Sequence, residues 1–417
     1  MKALFNRRLL VTLLLGFSSG LPIALCTSTL QAWLTVSGVS LMTIGFATLI
    51  GQPYVYKFIW APAFDRYLPP LLGRRRGWIM LLQVGIALTL VWMALLDPKT
   101  HLVLLATLAL LLAFLSSSQD INIDAYRTDL LLPEERGFGA AMVSGGYRVA
   151  MLVSGGLALV LAQLYGWRDT YIVMAGLMIV QVLATWWGPE PIIAAKPPAT
   201  LAKAIVEPFK EFFNREAAIA ILIFVVIYKL NDALALSLGS TFLLRGIGFN
   251  LADVGAIYKT VGITSGLLGA FAGGLWMRRL GLYRSLMFFG ILQGLSNLAF
   301  MVLAMTGKNY FILVSAVFME NFCGGLASVV FLTFIMSLCN LRYTATQFAG
   351  LSALAAIGRV FVGPVAALMV KHMGWTEFYF WTAVIGIPSL VLLWWIRPHV
   401  DGAQQSMLAG STKETTA

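Results

Sequence analysis

The feature that most constrains this sequence is the length of its apolar runs. From Leu102 to Leu115 every residue is apolar or small, and comparable runs recur along the chain. A helix needs ~20 apolar residues to cross the hydrocarbon core of a bilayer. We place twelve such spans in the 417 residues, at 9–34, 41–64, 78–96, 102–127, 139–165, 170–188, 217–243, 251–276, 284–305, 310–338, 347–370 and 375–396. Composition agrees. The chain is 59 % hydrophobic and 11 % charged, with a mean hydropathy of +0.84, whereas soluble domains carry about 25 % charged residues. The expected fold class is an all-α membrane protein with twelve transmembrane helices.

The net charge of +11 suggests a nucleic-acid partner, but its distribution excludes one. With the N-terminus placed inside, the inner loops and tails hold most of the Lys and Arg, including Lys2, Arg7, Arg8, Arg66, Arg74, Arg75, Arg76, Arg278, Arg279 and Arg284. The outer loops hold Lys99, Arg168, Arg245, Lys308 and Lys371. That bias puts both termini in the cytoplasm and makes Arg74-Arg75-Arg76 a topology anchor. The first apolar segment follows Lys2, Arg7 and Arg8, as in a signal peptide. However, Leu25 stands where a cleavage site needs a small residue, and the run continues to Trp33, so it reads as an uncleaved span.

The chain repeats itself. Gly166-Trp167-Arg168-Asp169-Thr170-Tyr171 matches Gly374-Trp375-Thr376-Glu377-Phe378-Tyr379, and Gly155 matches Gly363 at the same offset of 208 residues. Ser40-Leu41-Met42-Thr43-Ile44-Gly45 matches Asn250-Leu251-Ala252-Asp253-Val254-Gly255 at an offset of 210, each hexamer opening on a good helix N-cap. We therefore expect two pseudo-symmetric six-helix halves, 1–188 and 217–396. A cytoplasmic linker, 189–216, joins them, and a polar cytoplasmic tail, 397–417, follows. The linker opens with four prolines, then sets Leu201, Ile205, Val206, Phe209 and Phe212 against Lys203, Glu207 and Lys210, the pattern of an interfacial amphipathic helix. Parallel six-helix halves are the layout of the major facilitator fold.

Several chemistries drop out. Gly16-Phe17-Ser18-Ser19-Gly20 fits a nucleophile elbow in letters only, because its setting is a membrane helix and all three histidines fall in loops or the tail. There is no phosphate loop, and Gly246-Ile247-Gly248 lacks the third glycine of a dinucleotide fingerprint, so ATP does not drive this chain directly. Cys26, Cys323 and Cys339 have neither disulfide nor metal spacing. We expect no enzyme, no cofactor and no metal. Gly16 to Pro22, Gly51-Gln52-Pro53 and Gly363-Pro364 instead suit close helix packing and bends.

The informative residues are charges inside apolar spans: Lys57, Arg127, Arg148, Lys229, Lys259 and Arg359 against Asp120, Asp124, Asp232 and Glu320. Each costs about 3 kcal/mol at mid-membrane, so they must face one another or water. Asp120, Asp124 and Arg127 are spaced i, i+4, i+7 and form one stripe on a helix. Two acids share one base there, leaving a carboxylate to titrate. With histidine absent from the span centres, proton coupling falls to Asp120, Asp124, Asp232 or Glu320, with Arg127 pairing Asp124 or modulating the site. The surplus of bases suits a cargo bearing carboxylates, held by Lys57, Lys229, Lys259 and Arg148. Lys229 and Asp232 are alternatively an internal i, i+3 pair. Gln31, Trp33, Gln52 and Tyr56 offer amide and aromatic faces suited to sugars, although Trp33 and Trp60 also sit where interface anchors do.

The chain resembles the anhydromuropeptide permeases of the AmpG type, from Gram-negative bacteria, within the major facilitator superfamily. The likeness rests on Ser19-Gly20-Leu21-Pro22, Leu30-Gln31-Ala32-Trp33, Tyr56-Lys57-Phe58, Asp65-Arg66-Tyr67 with Gly73-Arg74-Arg75-Arg76-Gly77-Trp78, Ser118-Gln119-Asp120-Ile121, Pro133-Glu134-Glu135-Arg136-Gly137, Tyr228-Lys229 with Asp232, and Glu320-Asn321 with Cys323-Gly324-Gly325. It departs from the general superfamily signature in carrying Tyr67 to Leu72 within that loop. The second copy, Gly273 to Arg279, lacks the acid. Some relatives have further hydrophobic segments at the C-terminus where this chain has a polar tail. The resemblance implies proton-driven import of GlcNAc-anhydroMurNAc peptides from periplasm to cytoplasm across the bacterial inner membrane. It also implies a part in peptidoglycan recycling and β-lactamase induction, with an essential membrane aspartate on Asp120 or Asp124. Expected partners are the muropeptide, protons and membrane lipid, the chain acting as a monomer. The alternative reading is a major facilitator transporter of another solute, an oligopeptide or a drug.

Overall fold

A computed structural model describes residues 6–61, 64, 69, 74–131, 136–189, 210, 212–214, 216–338 and 344–400, and among these residues every regular element is helical. The expected linker helix around Leu201–Phe209, the Asp65–Gly73 loop apart from Pro69, Cys339, the Arg359 side chain and residues 401–417 of the tail lie outside the description. The chain divides into two compact units. One comprises Met1–Pro197 with Leu243–Arg245 and Phe249–Thr260; the other comprises Pro198–Phe242 with Gly246–Gly248 and Val261–Ala417.

In the first unit α1 (Arg7–Cys26) and α2 (Ser28–Val36) follow one path, broken at Thr27. The break falls five residues after Pro22, the bend expected from sequence. Thr27 Oγ1 donates back to the Ile23 carbonyl at 2.5 Å. The expected second span is fragmented into α3 (Leu41–Ala47), a 3-10 turn (Thr48–Gly51), α4 (Gln52–Tyr56) and a second 3-10 turn (Lys57–Ile59). Gly51 and Pro53 account for this: proline cannot donate to the helix ladder and is best accommodated at a helix start, which is where Pro53 stands. Then come α5 (Arg74–Ala94), α6 (Leu102–Leu130), α7 (Arg136–Met151), a π-helix (Leu152–Leu157), α8 (Ala158–Tyr165) and α9 (Trp167–Trp187).

The second unit contains α10 (Ala218–Ile227), α11 (Leu230–Ser237) and α12 (Gly239–Thr241). A π-helix (Phe242–Ile247) follows. After α13 (Leu251–Asp253) and a third π-helix (Val254–Lys259), both in the first unit, come α14 (Thr260–Leu280), α15 (Leu282–Thr306), α16 (Tyr310–Ser337), α17 (Thr344–Ile385) and α18 (Ile387–Trp395). Among the described residues ten helices are long and apolar enough to cross a membrane. Ten rather than twelve arise because the second span is fragmented and the last two run as one helix interrupted at Gly374, whose φ of 78° is not helical.

Polarity is distributed as in a membrane protein. Large apolar side chains such as Val103, Phe271 and Phe311 are exposed, while Ser18, Gln83 and Gln119 are fully buried. Gln83 Nε2 and Gln119 Nε2 both donate to Ser18 Oγ, at 2.9 and 3.0 Å, and Thr185 Oγ1 donates to Gln83 Oε1 at 2.9 Å. These bonds hold α1, α5, α6 and α9 together where no water competes. Gly16 and Gly20 of α1 lie against the Val143 and Tyr147 backbone of α7, and Gly146 lies against Leu13 O. Packing at backbone distance explains the Gly-x-Ser-x-Gly letters without any catalytic role.

The repeat is visible in the backbone. Gly166 (φ 88°, ψ 166°) and Gly374 (φ 78°, ψ 177°) adopt the same conformation, open essentially only to glycine. Gly38 and Gly248 form a second positive-φ pair. Ser40 and Asn250 cap the same helix start, accepting from Thr43 N and Asp253 N. In the first unit Trp33 packs on Trp167 and Tyr171, with ring centroids at 5.5 and 5.0 Å. In the second, Phe242 packs on Trp375 and Tyr379, at 5.1 and 4.8 Å.

Candidate functional site

The stripe read from α6 is present, but its three members have different surroundings. Asp120 is half-buried and accepts a 2.5 Å hydrogen bond from Ser19 Oγ of α1. Lys57, at the start of the second 3-10 turn, and Asp124 are the charged groups around it. Asp124 is more exposed, its side chain 53 % accessible, and pairs with Arg127 at 3.0 Å. Trp60 Nε1 donates to Ser118 Oγ at 3.0 Å and its ring lies 5.0 Å from Phe114, which anchors the Lys57 turn to α6. Asp120 lies eighteen residues into α6, about 27 Å from the helix start.

A second cluster forms within the second unit. Lys229 falls between α10 and α11, with φ −99° and ψ 4°, so the helix is broken where the lysine sits. Its Nζ donates to Asp232 Oδ2 at 3.3 Å, Ser328 Oγ at 3.0 Å and Gly324 O at 3.5 Å. Gln293 Nε2 of α15 donates to the other Asp232 oxygen, Oδ1, at 3.3 Å. Glu320 of α16 is buried, with Asp232, Lys229 and Gln293 as its polar surroundings.

Other candidates stand apart from these contacts. Lys259 closes a π-helix, its Nζ 5.0 Å from the Tyr258 ring centroid and its carbon chain lying over Gly155 and Gly156. Gln31 and Trp33 are buried, Trp33 in the aromatic cluster already described. Tyr56 is half-buried at the end of α4, and Arg148 is exposed on α7. Gln52 lines a cavity of about 530 Å³ bounded by α2, α3, the Thr48–Gly51 turn and the first turns of α6; its walls are apolar except for Thr43, Thr107 and Gln52. Among the described residues no group of three His, Cys, Asp or Glu could hold a metal.

Two features had no strong sequence signal. All three lysines sit at helix irregularities, a common mark of functional positions, and only Lys57 had a glycine and proline upstream to announce it. Arginines also cap helix ends. Arg76 Nε donates to Thr185 O at 3.2 Å and Arg7 Nε to Trp187 O at 3.0 Å, satisfying the last carbonyls of α9. Arg245 does the same for α2, reaching Thr35 O at 2.9 Å and Val39 O at 2.6 Å.

Titratable and cationic groups held within long apolar helices, on a duplicated helical scaffold, define a membrane carrier rather than an enzyme. The chain belongs to the Major Facilitator Superfamily, whose family model matches residues 8–359. It is 50 % identical to the anhydromuropeptide permease of Escherichia coli K12, over 92 % of this chain and 78 % of that protein. An uncharacterized protein of Haemophilus influenzae is 35 % identical over 95 % of this chain and 96 % of its own length. Two solved structures share the fold. The D-xylose-proton symporter superposes with a TM-score of 0.72 at 12 % identity, covering 93 % of this chain and 97 % of that one. A POT family transporter in complex with 5-aminolevulinic acid does so with 0.75 at 12 % identity, covering 95 % and 97 %.

Proposed function

We propose that this chain is a proton-coupled secondary transporter of the bacterial inner membrane. It imports GlcNAc-anhydroMurNAc peptides from periplasm to cytoplasm for peptidoglycan recycling and, through that ligand, contributes to β-lactamase induction. The observation that carries the cargo assignment is the 50 % identity, over 92 % of the chain, to a permease named for anhydromuropeptides. The basic inner loops support cytoplasmic termini, and the chain works as a monomer in membrane lipid.

Asp120 is the better placed of the two α6 acids to carry the proton. Asp124 has Arg127 as a fixed partner, whereas Asp120 is more buried and faces Lys57 and a neutral hydroxyl. An ionised Asp120 attracts the Lys57 ammonium. Protonation removes that attraction and leaves the ammonium available to a stem-peptide carboxylate; deprotonation on the cytoplasmic side draws it back and favours release. Lys229 offers a second ammonium, and Lys259, Arg148, Gln31, Gln52 and Tyr56 are further contacts for cargo. Trp33 serves packing.

The test is uptake of labelled GlcNAc-anhydroMurNAc tripeptide into proteoliposomes, with and without an imposed inward proton gradient, beside a plain tripeptide. Accumulation of the muropeptide only under the gradient is expected. Equal uptake of both ligands would favour the oligopeptide reading, and uptake indifferent to the gradient would remove proton coupling.

A further inference from the structure

The second unit holds two carboxyls and one ammonium in a single buried cluster, and the donors around them are unevenly shared. Asp232 receives Lys229 Nζ on Oδ2 and Gln293 Nε2 on Oδ1, each at 3.3 Å. Glu320 is 1 % exposed, yet neither of its oxygens accepts a hydrogen bond from the described residues. The Asp232 carboxyl and the Gln293 amide are its immediate polar neighbours, but both lie short of formed hydrogen-bond geometry. Cys323, one turn further along α16 near Ser296, is the other titratable group facing it.

A buried carboxylate needs donors or a cation of its own. Here Lys229 Nζ is shared among Asp232, Ser328 and Gly324 O, Gln293 Nε2 donates to Asp232, and the only cation among the described residues of the cluster is Asp232's partner. A charged Glu320 would leave Lys229, Asp232 and Glu320 with a net charge of −1 inside an apolar helix layer. A neutral Glu320 leaves the cluster at zero. A carboxylic acid also brings its own O–H donor, and two acceptors adjoin it: Asp232, and Gln293 Oε1, which is buried and has no donor.

We propose that Glu320 is a second proton-binding site, holding its proton as a neutral carboxylic acid beside an ionised Asp232. Gln293 is the positioning residue that keeps Asp232 charged and so keeps the proton on Glu320. When the proton leaves, the Glu320 O–H bond breaks and the cluster goes from neutral to −1. Lys229 then answers to two carboxylates and is withdrawn from any cargo carboxylate. The role of this site in transport rests on the proton-coupled reading; the protonation itself does not.

Infrared spectroscopy of the full-length protein in lipid nanodiscs tests it. Wild-type protein at neutral pH should show a protonated-carboxyl C=O band that shifts when only glutamate is carbon-13 labelled, since Glu377 of α17 is exposed and the remaining glutamates fall at the loop, linker and tail positions of the sequence. That component should be lost in Glu320→Gln and kept in Asp120→Asn. In Gln293→Leu its frequency and pH midpoint should move while the thermal transition stays. Absence of any glutamate-labelled band in wild-type protein overturns the inference, as does its survival in Glu320→Gln; the labelling result stands even if that variant does not fold. Uptake with and without a proton gradient separates the two readings. A band without gradient-driven uptake leaves the proton on Glu320 and removes coupling, whereas gradient-driven uptake without the band removes Glu320 and leaves coupling to Asp120.

Discussion

Ser19 Oγ of α1 donates to Asp120 Oδ1 of α6 at 2.5 Å, and the positions 210 and 208 residues further on, Lys229 and Ser328, are joined at 3.0 Å. The duplicated scaffold thus brings together the same two places in each unit, with the chemistry exchanged. A hydroxyl meets a carboxylate in the first unit, and an ammonium meets a hydroxyl in the second. One duplicated contact thus presents a carboxylate in one unit and an ammonium in the other.

Asp120→Asn keeps the side-chain volume and the hydrogen bond to Ser19 but cannot carry a proton. Concentrative uptake of muropeptide under a pH gradient should be lost while counterflow exchange persists. Ser19→Ala removes a charge-assisted hydrogen bond of about 1.5–3 kcal/mol. Since tenfold corresponds to about 1.4 kcal/mol, it should slow gradient-driven uptake roughly tenfold or more without abolishing it. Full accumulation by Asp120→Asn vesicles would exclude this carboxyl as the carrier.

Lys229 and Asp232 are largely buried partners, with 14 % and 19 % of their side chains accessible. Lys229→Ala leaves the cluster with two acids and no base, so it should lower thermal stability more than the double variant Lys229→Ala/Asp232→Ala does. The coupling from such a cycle should fall at about 1–3 kcal/mol. If Lys229 also holds cargo, both variants should lose roughly tenfold or more in muropeptide affinity. A coupling near zero would mean that the observed contact contributes nothing, and unchanged affinity would confine this lysine to a structural role.

Much of this was legible from sequence because it depends on local spacing. The pairing of Asp124 with Arg127 follows from helical i, i+3 spacing, that of Lys229 with Asp232 was readable from the same spacing although Lys229 stands at a helix break, and the repeat carried by Gly166 and Gly374 was readable as a sequence match. What could not be read is contact between helices distant in the chain. Whether Ser19, Gln293 or Ser328 meets a charged group depends on how each helix is rotated about its axis, and the apolar pattern of a membrane helix fixes that weakly because lipid and core are both apolar. The arginines show the same limit. Arg7 and Arg76 read from sequence only as charges flanking spans, and their use as caps on α9 depends on tertiary placement. In the second span the bend at Gly51-Gln52-Pro53 was readable, but its division into two α-helical pieces and two 3-10 turns was not, because composition counts apolar residues and Gly51 with Pro53 interrupts hydrogen bonding without changing hydropathy.

The turn glycines give a stability test of the repeat. Gly166 and Gly374 occupy a region that costs a residue with a Cβ about 1–3 kcal/mol, although a methyl at either would meet no neighbour. Gly166→Ala and Gly374→Ala should therefore both lower the unfolding temperature, by similar amounts. Gly176→Ala in the middle of α9, where a methyl also meets nothing, should be neutral or stabilising by about 0.5–1 kcal/mol. If the turn substitutions were as harmless as Gly176→Ala, backbone conformation would not be what fixes glycine at these positions.

Gly156 and Gly255 face each other from two π-helical segments of the first unit, Leu152–Leu157 and Val254–Lys259. A methyl on Gly255 would stand 2.5 Å from Gly156 O and 3.2 Å from Leu159 Cβ, whereas one on Gly156 would stand 3.2 Å from Gly255 O. The obstacle is backbone in both cases, so no side chain can turn aside, but the clash is deep for one and shallow for the other. Gly255→Ala should cost about 1–3 kcal/mol, as other overpacked sites do, with Gly156→Ala at the lower end or below it. The Lys259 stem rests on Gly155 and Gly156, so forcing the segments apart should displace its ammonium. Gly255→Ala should then lower muropeptide affinity in a binding assay at a temperature where the variant is fully folded. Gly255→Ala as stable as wild type would show that the two segments do not hold this close approach in the membrane, and unchanged affinity in a destabilised variant would separate Lys259 from cargo.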